Sequence, residues 1–481
     1  MDVTPAIEAL KAALPAEQFV LRGTQEFQAL NKGTYQSGLN RDITPACIVQ
    51  PRSAQEVSAF LVTIAPFVAK GEAAFAIVGA GRQPAPGCNN IQDGITLNLG
   101  LLKGIDVRDG YVAIGAGENC SPVFEKLEEQ GLACAGARSA KGGFAGLALS
   151  GGLSFFSSKD GFVCDDVINY EVVLASGSIV NANANENADL WLALRGGGNN
   201  FGVVTRFDMR TFPQGHLFGG SIYYAGASFP SQVKALAHEL ENPDASPDTH
   251  LMVSMGFAGA FFGPEPVGLN QLYYLSDVDK APPVLEPFVT MEGQFPGNTL
   301  RRHTFVEAAK EQAGEMNLPD RSMYMNTHVK VDVDTIIKCG EIWASSLGPI
   351  KDCEGFICSY TLQPYPRSLL EASAKKGGNS LGLNPDDGAI VSIALLAYWV
   401  NPADDERILG TFKEALEKID KEAADRNQSI NFKFLNYSFT FQDPIGSYGA
   451  ENKQRLQQVS KKFDPEGLFQ KGVPGGWKLF P

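Results

Sequence analysis

The stretch AIVGAGRQPAPGCNN, residues 76–90, begins as an apolar strand and then breaks into glycines and prolines. A Rossmann dinucleotide fingerprint needs GxGxxG opening a helix, with an acidic residue about 20 positions further on. The glycines here run into Pro84 and Pro86, which interrupt a helix, so a Rossmann site is disfavoured. A glycine-rich loop can also present successive backbone N–H groups to an anion. The stretch therefore predicts either a phosphate-binding loop of another fold or an ordinary glycine-rich turn.

The bulk composition is that of a globular protein. The chain has 481 residues, of which 44% are hydrophobic and 20% charged, and its net charge is −14. A length of about 100–200 residues per domain predicts two or three domains. An acidic chain does not favour nucleic-acid binding, so no nucleic-acid partner is expected. The eight cysteines form no CxxC and the five histidines show no ligand spacing, so no metal site is expected.

The N-terminal segment has acidic residues early and no unbroken apolar core, unlike a secretory signal peptide. We therefore expect a cytoplasmic or other intracellular location. A trimmed secreted form is the alternative, and the glycosylation triplet that starts at Asn427 is a weak hint of it. The sequence contains no apolar run of about 18 residues, so no membrane span is expected.

Two helices are marked by their capping residues. Ser53 and Glu56 form a capping box at the start of an apolar segment with helical spacing. Ser121 is predicted to cap a second helix that ends at Gly131.

The residue pattern of the sequence changes twice along the chain. Residues 216–430 carry longer alternating strands with amphipathic helices between them, which favours an α+β layer. Residues 431–481 return to the glycine-rich style of residues 1–215. We therefore expect a two-part domain, 1–215 with 431–481, into which an α+β domain of residues 216–430 is inserted. This layout suits a cofactor domain covered by a substrate domain.

Metalloprotease and nucleotide-binding motifs are missing from the sequence. There is no HExxH or Walker loop. The absence of these motifs from a two-domain protein favours chemistry that is carried by an organic cofactor.

Five blocks of sequence, in order, resemble the berberine-bridge-enzyme-like FAD-linked oxidases of the vanillyl-alcohol-oxidase superfamily, in a fungal style. The resemblance covers almost the whole chain, and ordered matches of this length are far more specific than one GxG. The blocks are PACIVQPRSAQEV (45–57), VGAGRQPAPGCNNIQDGITLNL (78–99), GGFAGLALSGGLSFFSSKDGFVCDDVINYEVVLASG (142–177), DLWLALRGGGNNFGVVTRFDM (189–209) and FLNYSFTFQDPIGSYGAENKQRL (434–456).

The resemblance implies an α+β fold: a two-part PCMH-type FAD-binding domain, with its core at about 42–213, and an inserted antiparallel sheet backed by helices. It also implies FAD as cofactor, with the diphosphate near residues 79–83. The residues expected around FAD are Val78, Gly79, Ala80, Gly81, Arg82, Gln83, Cys88, Asn89, Ser139, Gly142, Gly143, Ala145, Gly146, Leu149, Gly151, Gly152, Leu153, Val203, Val204 and Asn436.

Two positions depart from the family pattern. Most members attach FAD to the histidine of a GGH triplet, and Arg82 stands at that position here. Many also attach it to a cysteine four residues before the glycine that here is Gly143, and that position is Ser139. Neither side chain can form the usual link, so we expect non-covalent FAD. Arg82 is permanently charged and is expected either to favour anionic forms of the flavin or to be solvated.

The substrate side resembles the family less closely. A Tyr-x-Asn-Tyr motif of relatives reads Phe434-Leu435-Asn436-Tyr437 here. Tyr437 is the candidate general base, with simple packing as the alternative. Further tyrosines are equally compatible with a pocket wall or with the core: Tyr223, Tyr224, Tyr273, Tyr274 and Tyr398.

The expected function is oxidation of a small-molecule secondary metabolite. Hydride would pass from a C–H carbon to flavin N5 while Tyr437 accepts a proton, with molecular oxygen as the final acceptor. A non-redox cyclase or isomerase that keeps FAD as a scaffold is the alternative, and a flavin-binding protein without catalysis is a third hypothesis. Oligomeric state is left open.

Overall fold

The computed structural model describes residues 2–314 and 318–480, and these form 18 strands and 18 α-helices. The strands are β1 (Phe19–Leu21), β2 (Cys47–Val49), β3 (Phe75–Val78), β4 (Ile95–Asn98), β5 (Ile105–Arg108), β6 (Tyr111–Gly115), β7 (Leu132–Cys134), β8 (Val167–Val173), β9 (Ile179–Asn183), β10 (Val203–Pro213), β11 (Leu217–Ala225), β12 (Thr249–Ala258), β13 (Val267–Tyr274), β14 (Arg301–His303), β15 (Arg321–Lys330), β16 (Ile357–Tyr365), β17 (Ile390–Trp399) and β18 (Ser429–Ile430). The helices are α1 (Thr4–Ala13), α2 (Gln25–Thr34), α3 (Gly38–Arg41), α4 (Ala54–Ala69), α5 (Cys120–Glu128), α6 (Ala145–Leu149), α7 (Ser157–Asp160), α8 (Ala188–Leu194), α9 (Phe229–Glu241), α10 (Gly259–Phe262), α11 (Glu286–Val289), α12 (Phe305–Ala313), α13 (Val333–Ser346), α14 (Arg367–Lys375), α15 (Asp405–Asp425), α16 (Pro444–Ser447), α17 (Ala450–Phe463) and α18 (Leu468–Lys471).

The first sheet delivers the quoted glycine loop. Its strand order is β1-β2-β4-β3, and β2 and β3 both run parallel to β4. Helix α4 forms the crossover between β2 and β3, and Ser53 caps it by accepting a hydrogen bond from the Glu56 N–H. The predicted cap at Ser53 is confirmed, but the reciprocal bond of a capping box is shifted by one residue, because the Glu56 carboxylate accepts the Arg52 N–H at 2.6 Å and not that of Ser53. Strands β2 and β4 are buried throughout, as is usual for parallel strands covered on both faces.

The second sheet is antiparallel and has six strands. Its order is β5-β6-β10-β8-β9, and β7 pairs with the far end of β10. The predicted cap at Ser121 is wrong: α5 begins at Cys120 and its N-cap residue is Asn119, which bridges to Gly143. Pairing between Asn119 and the glycine-rich segment fixes this helix start, which a local pattern could not show.

The third sheet has eight antiparallel strands in the order β14-β11-β13-β12-β16-β17-β15-β18. One face packs against α9, α13 and α15 through a continuous apolar core. The core residues on that face include Ile222, Val253, Met325, Leu362 and Ile393. We call the opposite face, which carries Met252 and Gln363, the open face. The expected α+β fold with a helix-backed antiparallel sheet is confirmed.

All strands of the third sheet lie between Leu217 and Ile430. The domain limits at residues 215 and 430 themselves stay predictions. Among the helices of the described residues, none combines the length and the apolarity that a membrane crossing requires. Each of the eight cysteines is a free thiol, seven of them buried and Cys88 half-buried.

Candidate active site

The loop that follows β3 leaves its backbone N–H groups without hydrogen-bond partners on the backbone of the described residues. No backbone carbonyl of the described residues accepts a hydrogen bond from the N–H groups of residues 79–83. The loop is anchored from its other side, where the Gly81 carbonyl accepts the Gln36 N–H at 2.9 Å. Gly81 has φ 64°, and a Cβ there would lie 2.3 Å from the Thr34 carbonyl oxygen. The loop therefore has the form of an anion nest whose shape depends on glycine.

The second glycine segment passes directly beside this loop. A Cβ on Gly143 would lie 2.4 Å from the Ala80 side chain, and one on Gly79 would lie 3.3 Å from that of Ala145. A Cβ on Gly146, at the start of α6, would meet no atom within 4 Å. The two backbones thus approach as closely as glycine permits, while Gly146 faces open space at their junction.

The C-terminal turn Leu435–Tyr437 is tied to both glycine segments. Asn436 Oδ1 accepts the Gly152 N–H at 3.0 Å, and Asn436 Nδ2 donates to the Leu147 carbonyl at 3.3 Å. Gln83 Nε2 donates at 3.3 Å to the carbonyls of Leu435 and Asn436. These bonds hold Tyr437 at the edge of the space between the two segments.

The other residues predicted to surround FAD lie on the same framework. Val78 ends β3, and Val203 and Val204 begin β10 as buried residues. Leu149 accepts the Gly198 N–H through its carbonyl at 2.9 Å, and the Ser139 carbonyl accepts the Gly142 N–H at the same distance. The remaining members of this set adjoin them in sequence: Gly151, Gly152 and Leu153. Their contacts with the cofactor stay predictions.

Two polar side chains follow the loop after β3. Asn89 Nδ2 donates to the Gln83 carbonyl at 3.4 Å, while its buried Oδ1 has no partner among the described residues. Burial raises the pKa of the Cys88 thiol to about 12, so this thiol is not a reactive thiolate. The nest at 79–83, the open space at Gly146 and the unpaired Asn89 oxygen together fit a ligand with a diphosphate and polar groups, as FAD has.

Tyr437 is held by an arginine that the sequence did not single out. Arg138 Nη2 donates a 2.5 Å hydrogen bond to the Tyr437 phenol oxygen and a 3.1 Å bond to Gln363 Oε1. Arg138 Nη1 lies 3.2 Å from the Met252 sulfur. Gln363 and Met252 belong to the open face, so Arg138 links the third sheet to the phenol of Tyr437. A guanidinium at this distance stabilises negative charge on the phenol oxygen.

A pair of hydrogen-bonded phenols lies beside Tyr437. The Tyr324 and Tyr398 hydroxyls are 2.9 Å apart, and Gln36 Nε2 donates to Tyr324 at 2.7 Å. Burial raises the pKa of both Tyr324 and Tyr398, which keeps them protonated. The rings of Tyr324 and Tyr437 are 6.0 Å apart and nearly perpendicular. Of these three phenols, Tyr437 is the one that a guanidinium contacts.

Arg82 and Phe434 occupy two of the positions where the chain departs from the family pattern. The Arg82 side chain is exposed to the space beside Tyr324, and no side-chain hydrogen bond within the described residues uses it. Although Arg82 is reached by solvent, the surrounding protein partly desolvates it and lowers its pKa, as does nearby Arg41, but a guanidinium stays charged. Phe434 is fully buried and packs 5.3 Å from the Tyr437 ring.

The five tyrosines predicted as pocket or core fall into both groups. Tyr398 lies in the site, while Tyr224 and Tyr273 are buried in the core. Tyr274 packs against the helix-backed core, and Tyr223 lies at another part of the open face, 5.9 Å from the Phe262 ring.

Three residues of the site were not predicted from the sequence: Arg138, Gln363 and Tyr324. Only Arg138 had a signal in the sequence, because it directly precedes Ser139 at the second flavin-linking position.

Comparison with known proteins places the chain among FAD-binding proteins. Residues 45–183 match the model of an FAD binding domain. The chain is 33% identical to the FAD-dependent monooxygenase FUP4 of Fusarium proliferatum (strain ET1), over 92% of this chain and 87% of the relative. It is 32% identical to the FAD-dependent monooxygenase tpcD of Cochliobolus heterostrophus, over 90% of this chain and 85% of that one.

The chain also shares its fold with solved structures of other proteins. BBE-like 1 of Physcomitrella patens has a TM-score of 0.74 at 17% identity, covering 96% of this chain and 97% of that one. The xylooligosaccharide oxidase of Myceliophthora thermophila C1 has a TM-score of 0.77 at 19% identity, with coverages of 96% and 97%. The chain belongs to the berberine-bridge-enzyme-like FAD-linked oxidoreductases. As a member of this family it is an FAD-dependent oxidoreductase, which confirms the predicted family, FAD as the cofactor and the enzyme class; non-covalent attachment of FAD stays a prediction.

Proposed function

We propose that this oxidoreductase acts in fungal secondary metabolism and removes a hydride from a C–H carbon of a small phenolic substrate. Tyr437 accepts the accompanying proton. The hydrogen bond from Arg138 to Tyr437 is the observation that carries this proposal, because it couples a candidate base to a permanent cation at the flavin-linking loop. FAD, when bound, supplies the hydride acceptor and passes the electrons on to molecular oxygen. The curated relatives named as FAD-dependent monooxygenases of fungi support this assignment.

The residues around Tyr437 each have a separate task. Arg138 holds the phenol oxygen in one position and stabilises it while it carries negative charge. Tyr324 and Tyr398 stay protonated and can donate a hydrogen bond to a substrate oxygen. Phe434 has no hydroxyl and is fully buried, so it excludes water from one side of the Tyr437 ring.

FAD is held by contacts alone in this proposal. The nest at residues 79–83 would take the diphosphate, and the backbone of residues 142–146 would lie against the cofactor. Arg82 and Ser139 stand where relatives are linked to their flavin, and neither forms the usual bond. Arg82 would place a fixed positive charge beside the cofactor.

An anaerobic experiment tests the redox assignment. The holoenzyme is mixed with a panel of mono- and polycyclic phenols without oxygen, and the flavin absorbance near 450 nm is followed. Bleaching by a substrate, with the colour restored by oxygen, is the expected result. Product formed without bleaching would replace the proposal by the non-redox cyclase. Repetition under ¹⁸O₂ separates the two oxidative outcomes, because label in the product indicates monooxygenation and label only in peroxide indicates an oxidase.

A further inference from the structure

A row of directly paired residues crosses the open face of the eight-stranded sheet. In an antiparallel sheet, residues that face each other across neighbouring strands point to the same side. The pairs Tyr324–Leu396, Leu396–Ser359 and Ser359–Gly256 lead from β15 to β12, and Gly256–Val267 and Val267–Ala225 lead on to β11. One row of side chains therefore runs from the Tyr437 neighbourhood to the opposite side of the sheet.

Most of this row is only partly covered. Tyr324, Leu396, Ser359 and Gly256 are half-buried although they lie on central strands, while Val267, near the far end, is buried. The residues that alternate with the row, such as Leu395, are fully buried against the helices. We call this partly covered strip the trough. Five strand-to-strand steps at about 4.8 Å each give it a length of about 24 Å.

The far end of the trough is aromatic. Tyr223 lies on the same face as the row, because it pairs with Leu269 and Leu269 pairs with Ser254. The Tyr223 ring is 5.9 Å from that of Phe262. Phe261 and Phe295 complete a groove of about 430 Å³.

The groove leaves its apolar side chains unusually open to solvent. The exposed fractions are 64% for Phe261, 45% for Phe262 and 39% for Phe295. Three exposed phenylalanines around one groove lose hydrophobic stabilisation unless a ligand covers them. No charged residue lines the groove, which favours a neutral ring over an ionic group.

The two ends of the trough differ in chemistry. The near end carries Arg138, Gln363 and the phenols of Tyr324 and Tyr398, which can bind oxygen substituents. The far end offers the flat faces of Tyr223 and Phe262, which suit an aromatic ring. We propose that the groove is a distal subsite for a neutral aromatic ring of the substrate. The substrate is then an elongated molecule with a phenol at the reacting end and a second aromatic unit about 20 Å away. This inference rests on the proposed function, since it places the reacting phenol at Tyr437.

A tethered probe tests the distal subsite in the holoenzyme. The probe is 4-ethylphenol joined through an oligo(ethylene glycol) linker of about 15 Å to naphthalene, and it is compared with 4-ethylphenol alone. Binding is followed at equilibrium through the perturbation of the visible flavin spectrum, without turnover. The tethered probe should bind at least about tenfold more tightly than 4-ethylphenol, because the second contact is intramolecular.

Matched variants show where the gain arises. Phe262→Ala combined with Phe295→Ala should abolish the gain and leave the affinity for 4-ethylphenol unchanged. Phe441→Ala removes a phenylalanine of similar exposure, 42%, outside the groove and should keep the gain. All three side chains are exposed, so the variants should fold, and their melting temperatures check this.

The outcomes separate this inference from the proposed function. If 4-ethylphenol perturbs the flavin and the tether adds nothing, or if its gain survives in the groove variant, the distal subsite is wrong and the proposed function stands. If neither phenol perturbs the flavin spectrum, the phenol site at Tyr437 is wrong and the subsite falls with it.

Discussion

The guanidinium of Arg138 lies 2.5 Å from the phenol oxygen of Tyr437, although 299 positions separate the two residues in the chain. Arg138 belongs to the segment that leads into the second glycine block, and Tyr437 to the C-terminal turn. Gln363 from the inserted sheet shares the same guanidinium nitrogen. Three distant parts of the chain therefore meet at the Arg138 guanidinium. Contact with this positive charge distinguishes Tyr437 from the neighbouring phenols of Tyr324 and Tyr398.

Replacing Arg138 by Met should lower kcat at pH 7 by about 10²-fold, because the cation that stabilises a charged phenol is lost. Arg138→Met should also change the pH dependence of kcat, because the guanidinium charge no longer acts on the phenol oxygen. A pH profile of kcat for both proteins measures this change.

Arg138→Lys is the matched control. It keeps the charge but not the paired contacts to Tyr437 and Gln363, so its kcat should fall by only about tenfold. Equal losses in the Met and Lys variants, with unshifted pH profiles, would show that Arg138 acts only by packing. FAD affinity measured by fluorescence quenching should be the same in all three proteins.

Tyr437→Phe should lower kcat by about 10²–10⁴-fold while the protein still binds FAD, since the phenol is proposed to take a proton and not to hold the cofactor. Tyr398→Phe serves as a comparison, because burial keeps that phenol protonated. Its main effect should be on KM. Stopped-flow bleaching of the flavin isolates the chemical step, and an unchanged bleaching rate in Tyr437→Phe would remove Tyr437 from the mechanism.

The two glycine-rich segments could be predicted because the signal of each is local in sequence, while their contacts with FAD stay predictions. The glycine blocks carry their own conformational signal, and the structure brings residues 79–83 against residues 142–146 as the resemblance implied. The helix cap at Ser53 was equally local. The failed cap at Ser121 shows the limit, since a bridge from Asn119 to Gly143 decided where that helix begins.

The substrate side could not be predicted in the same way. Gln363 and Tyr324 are set by the register of strands that are far apart in sequence, and Arg138 lies in the loop after β7. A side-chain hydrogen bond between such distant parts of the chain leaves no periodic pattern. Tyr223 and Tyr224 are adjacent and look alike as letters, yet strand alternation sends one to the groove and the other into the core. The sequence pattern alone therefore could not show which of these tyrosines lines the groove and which lies in the core.

Gly146→Leu should weaken FAD binding by at least about tenfold without unfolding the protein, because its side chain enters open space that we assign to the cofactor. Gly410→Leu, in the exposed part of α15, also meets no neighbour and is the control. Leu is a better helix former than Gly by about 1 kcal/mol, so neither apoprotein should lose stability. Titration with FAD and thermal unfolding of the apoproteins separate the two effects, and equal FAD affinities in both variants would contradict the assignment.

His328 should make the protein less stable in acid. Burial lowers its pKa to about 3, and its Nδ1 lies 2.9 Å from the Phe432 carbonyl oxygen. The unfolded chain binds a proton below about pH 6.5 while the native state does not, so stability falls as the pH decreases from about 6.5 to about 3. This histidine alone contributes a slope of up to about 1.4 kcal/mol per pH unit. Urea unfolding of wild type and His328→Gln at pH 7 and pH 5, with excess FAD, should show a smaller loss in the variant; identical losses would contradict the prediction.

Acid precipitation should release all of the flavin into the supernatant, since Arg82 and Ser139 cannot form the links that tether FAD in relatives. The released compound should run as FAD on chromatography, and the pellet should be colourless. Arg82→Met is the companion variant: it keeps the length of the side chain and removes its charge. If Arg82 stabilises anionic flavin, the reduction potential of Arg82→Met should be lower than that of wild type, whereas a merely solvated arginine would leave the potential unchanged. Colour that stays in the wild-type pellet would mean that another residue tethers the cofactor.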